Sequence, residues 1–150
     1  MAMHSLLLFA HIASVVVWVG GMFFAYVCLR PAAVALLQPP ERLRLWHGVF
    51  SRFFPAVWIA VCTIAASGFL MLAGAPTPLY QHLMMGSGLV MIGIFIYVAA
   101  APTAELGRAV EAEDWKRGAA ALNRIRQMVG TNLALGFVTI AIATLGRNLG

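Results

Sequence analysis

Four histidines are the side chains in this sequence best equipped for chemistry: His4, His11, His47 and His82. A neutral imidazole bonds one partner through one ring nitrogen and offers the other nitrogen to a metal. His11 heads the stretch "HIASVVVWVGG", inside an apolar run with no charged side chain before Arg30. Hydrocarbon is a costly place for an unpaired imidazole, so His11 must bond either a neighbour or a ligand. Methionine accompanies two of the other histidines: Met3 precedes His4, and "HLMM" runs from His82 to Met85. Thioether with imidazole is a soft donor set that suits copper, Cu(I) above all. If Met1 is removed, the amine of Ala2, the following amides and the His4 imidazole make a square-planar set suited to Cu(II). Cys28 and Cys62 form no CxxC motif, and both read as small buried apolar residues.

The elements that position these residues follow from composition. The chain has 150 residues, of which 62% are hydrophobic and 10% charged, against about 25% charged in a soluble domain. Phe53 to Ala104 carries no charged side chain. That length holds two membrane-crossing helices of about 20 residues each, joined by a turn at "GAPTP", Gly74 to Pro78. Four spans are expected in a single domain covering 1–150, at about 5–29, 53–73, 79–101 and 127–145. The apolar runs are continuous rather than alternating, which selects helices. The expected architecture is all-α, an integral membrane four-helix bundle.

Of the ten basic residues, Arg30, Arg42, Arg44 and Arg52 fall between spans one and two. Arg108, Lys116, Arg117, Arg124 and Arg126 fall between spans three and four. Arg147 alone lies at the other end. Positive charge collects on the cytoplasmic side, so both termini are expected outside and the connector 102–126 inside. A bacterial inner membrane is the expected setting. The net charge of +5 then reflects topology, not nucleic-acid binding. The connector 102–126 is expected to extend spans three and four as helix, or to lie as an interfacial helix. No carboxylate falls in any span, which leaves a proton-coupled transporter without a relay.

Topology also gives the histidines depths. Spans one and three run in the same direction, and His11 and His82 each fall in the first turns of their span. They are therefore expected at similar depth, where two imidazoles across a bundle make an axial pair for the iron of haem b. Trp18, two turns below His11, and Gly86, one turn beyond His82, would border the porphyrin; Gly93 lies further along the same face. Arg147 would hold a propionate. The bland alternative for His11 is a hydrogen bond to Ser14 or Thr144. His47 and His4 are best read as a bonded loop residue and a solvent-exposed terminal one.

"LLLFAHIASVVVWVGGMFFAYVCLRPAA", "RLWHGVFSRFFPAVW", "YQHLMMGSGLVM" and "LNRIRQMVGTNLALGFVTIAIATLGR" together resemble the copper-resistance D (CopD) type membrane proteins over nearly the whole chain. That resemblance implies copper handling in the periplasm or across the inner membrane. The chain is also similar to HemJ-type membrane proteins, which implies a b-type haem on His11 and His82. That group has a lysine shortly after its third-span histidine, where this chain has Leu83, Met84 and Met85, so its oxidase reaction is not implied.

Three functions follow as expectations. The leading one is haem b between spans one and three, moving electrons near the periplasmic face, with quinol or another redox partner, linked to copper. The second is a redox-silent copper-binding or copper-transfer protein using His4, His11, His82, Met3, Met84 and Met85. The third is an accessory subunit that packs through a small-residue face on span four at Gly130, Ala134 and Ala141. Membrane lipid is a partner in all three.

Overall fold

The computed structural model describes residues 2–73 and 78–146; of the expected turn at Gly74 to Pro78 all but Pro78 falls outside them, as does Arg147. Among the described residues the chain is all-α. The first rod joins α1 (Ala2–Phe23), a π-helical segment (Phe24–Leu29) and α2 (Arg30–Leu36). It is followed by α3 (Pro39–Leu72), α4 (Leu79–Ala100), α5 (Pro102–Glu111) and α6 (Trp115–Leu145). Four rods of 35, 34, 33 and 31 residues are long and apolar enough to cross a membrane. The protein is a multi-pass membrane protein.

The rods outrun a bilayer. At 1.5 Å per residue they are roughly 46–53 Å long, against about 30 Å of hydrocarbon. The surplus lies where the basic residues are. Residues 30–52, expected as a loop, are helical except at Leu37 and Gln38. Local signals account for this. Pro39 occupies the first turn of α3, and Gln38 with Glu41 forms a capping box, the Glu41 carboxylate accepting from Gln38 N–H at 3.1 Å. The connector 102–126 folds as a helical hairpin of α5 against the start of α6. Glu113, with φ at 53°, turns the chain, and Asp114 caps α6 by accepting from Arg117 N–H at 3.1 Å.

α1 packs antiparallel on α3, and α4 on α6. Two core clusters lie along the bundle. The first gathers Trp18, Val19, Met22, Val57, Ala60, Val61, Met91, Phe95 and Leu133. The second, at the basic end, gathers Leu43, Trp46, Phe50, Val98, Leu106, Ala121 and Ile125. An aromatic ladder links them along α3: Trp46 stacks on Phe50 at 5.3 Å, Phe50 on Phe54 at 5.2 Å, and Phe54 meets Phe95 edge-on at 5.5 Å. Outside, Phe9, Ile59 and Phe69 are exposed, as a surface solvated by lipid tails allows.

Candidate functional site

His11 lies in the seam between α1 and α3. Its Nδ1 is 2.9 Å from the Oγ of Ser67, a serine buried in α3. The Ser67 hydroxyl donates its one hydrogen back to the Thr63 carbonyl within α3, the usual habit of a helical serine. With that hydrogen committed, the serine oxygen is an acceptor for His11; in the tautomer that matches it the imidazole proton sits on Nδ1 and Nε2 carries the lone pair. Gly68 keeps the ring's edge free of a side chain: a Cβ there would lie 3.5 Å from His11 Cε1. A half-buried imidazole with Nδ1–H anchored and Nε2 bare is the form that ligates metals. The partner is neither Ser14 nor Thr144, the latter being bonded to the carbonyl of Ile140 at 2.8 Å.

His82 is exposed in the first turn of α4, its Nδ1 3.4 Å from the Pro78 carbonyl. Trp18 and Phe95 meet across the core, ring centroids 6.0 Å apart. A Cβ on Gly136 of α6 would lie 3.2 Å from Val19 of α1 and 3.4 Å from Met91 of α4, and Thr139, one turn on, bonds Ser87 at 2.8 Å. Val19 and Met91 therefore stand near one level, which leaves His11 and His82 within about two turns of each other along the bundle. His11 also turns to α3, and α1 and α4 are not a closely packed pair. Trp18 is buried against Phe95 rather than bordering a free space between the two histidines. His11 bonds Ser67 on α3 and His82 is exposed on α4, and no step is derived through a haem. Gly86 and Gly93 have open space where a Cβ would stand.

Other soft donors lie toward the same end. His4, with Met3 beside it, is two turns before His11 on α1, and Met84 and Met85 follow within a turn of His82 on α4. Met3, His4, His82 and Met85 are exposed, and Met84 is half-buried. Met71, one turn beyond Ser67 on α3, lies toward the same end. Among the described residues no three His, Cys, Asp or Glu side chains gather in a metal-binding group, so an ion here would depend on thioethers.

The copper resistance protein D family profile matches residues 47–145, well over half of the chain. The chain belongs to the copper resistance protein D family. No curated protein and no solved structure matches it. In this family member the matched region contains Ser67, His82, Met84 and Met85, whereas Met3, His4 and His11 on α1 lie before it.

Further positions differ from expectation. Cys28 and Cys62 are exposed on the outer surface of their helices, not buried. His47 is not in a loop. It is half-buried within α3 against Gly107 of α5, and its Nδ1 is a buried atom with no hydrogen-bond partner. The small-residue face of α6 is divided: Ala134 and Ala141 are exposed, but Gly130 turns inward and receives the Tyr26 ring. Two polar residues were missed altogether. Ser67 could have been suspected as one of only two hydroxyl residues, with Thr63, along span two. Asn132, in the "NLALG" motif, is buried and donates to the Met91 carbonyl at 3.3 Å, tying α6 to α4.

Proposed function

We propose that this protein binds and passes on copper at the end of the bundle that carries its amino terminus, without redox chemistry of its own. Copper is the cargo. His4, His82, Met3, Met84 and Met85 form the rim that captures Cu(I), because thioether and imidazole are soft donors. His11, two turns beyond His4 on α1 and turned into the seam with α3, is the inner acceptor. The observation that carries this reading is the Ser67 bond, which engages His11 through Nδ1 and leaves Nε2 as the nitrogen to offer a metal. Charge asymmetry supports placing the rim on the periplasmic side of a bacterial inner membrane.

The test is Cu(I) competition between the detergent-purified chain and a chromophoric chelator, read together with the visible spectrum. His11→Ala and His82→Ala should each weaken copper retention about tenfold or more, with His47→Ala unchanged. Equal retention in all three variants would sink the proposal. A Soret band lost in both His11→Ala and His82→Ala would assign the two histidines to haem iron instead.

A further inference from the structure

At the opposite, basic end, a cleft opens between the π-helical segment with α2, α3 and α6. Its cavity volume is about 220 Å³, less than the ~300–1,000 Å³ of a site that encloses a whole small ligand and the size of a seat for one polar headgroup. Arg30, Arg42 and Arg126 line it, with Tyr26 and Asn123, and Trp46 contributes to an apolar floor. No carboxylate lines it. The ion pairs among the described residues lie elsewhere: Arg44 with Glu113, and Arg117 and Arg124 with Glu105. Three half-buried arginines thus line one space with no carboxylate among its lining residues. Such charges repel one another and lose hydration unless an anion joins them.

The cleft is also shaped for one end of an amphiphile. The π-helical segment, a feature frequent at functional sites, carries Tyr26, whose ring fits against Gly130 of α6. A Cβ at Gly130 would lie 3.1 Å from that ring. Tyr26 in turn holds Arg30, whose guanidinium carbon is 5.4 Å from the ring centroid. The uncharged run of span one ends at Leu29 and Arg30 follows it, so the arginines stand where hydrocarbon gives way to headgroups. Guanidinium forks pair with phosphate oxygens two at a time, and basic pockets between membrane helices suit anionic headgroups.

We propose that this cleft seats the phosphate headgroup of an anionic phospholipid, held by Arg30, Arg42 and Arg126, with its acyl chains in the adjoining bilayer. The test is native mass spectrometry of the detergent-purified full chain offered phosphatidylglycerol, phosphatidylcholine or inorganic phosphate. The wild type should retain phosphatidylglycerol about tenfold over phosphatidylcholine, and Arg42→Gln and Arg126→Gln should each remove most of that preference. Arg44→Gln and Lys116→Gln delete the same charge outside the cleft and should keep it. Equal retention of the two lipids by the wild type overturns the proposal whatever the variants do. So does an equal loss in the two control variants, which would make the effect one of general charge. Displacement of phosphatidylglycerol by an equal concentration of inorganic phosphate would mark a free-anion site and overturn the lipid assignment.

Discussion

The Ser67 hydroxyl decides what His11 can do, because one hydrogen bond selects the tautomer. Ser67→Ala removes the acceptor for Nδ1–H and frees the ring to rotate or to exchange tautomers. Copper retention should fall by roughly ten- to a hundredfold, the usual effect of losing a group that orients a ligand. Ser67→Thr should keep most of it. Retention unchanged in Ser67→Ala would show that the bond only satisfies a buried polar pair. Asn132 supports a contrasting expectation. Its amide donates to Met91, but its Oδ1 is buried without a partner. The gain of one interhelical bond and the cost of one orphaned acceptor nearly offset. Asn132→Leu should therefore change unfolding free energy in detergent by less than about 1 kcal/mol, as read by thermal or denaturant unfolding. A loss of several times that would mean Oδ1 has an unseen partner such as a buried water.

Helices meet here at small residues, and two adjacent glycines separate contact from empty space. A Cβ at Gly21 would collide with the Phe53 ring, whereas one at Gly20 would meet nothing within 4 Å. Gly21→Leu should push α1 from α3 and cost about 1–3 kcal/mol. Gly20→Leu, on the exposed side, should leave stability near that of the wild type or slightly improve it, since leucine favours helix. Thermal unfolding of the two variants side by side checks this, and equal melting points would show that α1 does not depend on close approach at Gly21. Because α1 carries His11, the Gly21 variant should also lose copper retention while the Gly20 variant keeps it.

On the scale of the whole molecule, charge is distributed by end. The acids Glu105 and Glu113 pair with arginines from other parts of the basic end. These exposed pairs contribute little to stability, but they keep the helical extensions soluble beyond the bilayer. If the basic end is cytoplasmic, a thiol at position 5 should react with a membrane-impermeant reagent from the periplasm and a thiol at position 113 should not. Ser5→Cys and Glu113→Cys, each in a background with Cys28→Ser and Cys62→Ser, give the measurement. Labelling of the Glu113→Cys thiol alone would invert the topology and place the proposed copper rim in the cytoplasm.

Sequence alone was sufficient for the all-α class and the four membrane-crossing segments, because lipid leaves a chain few choices. Every backbone polar group must be satisfied within a helix, and a charge-free run must lie in hydrocarbon. Family membership was legible too, in motifs that run through α3, α4 and α6. Contacts between helices were not. Whether His11 meets α3 or α4 depends on which apolar faces pack, and these helices are apolar all round, so periodicity carries almost no information about the packed face. The depth of His82 relative to His11 likewise depends on how α1 and α4 each pack on α6, at contacts such as Gly136 with Val19 and Met91. The arginine cleft depended on the same step. Arg30, Arg42 and Arg126 are scattered along the sequence as ordinary topology signals, and only packing of the helical extensions gathers them around one space.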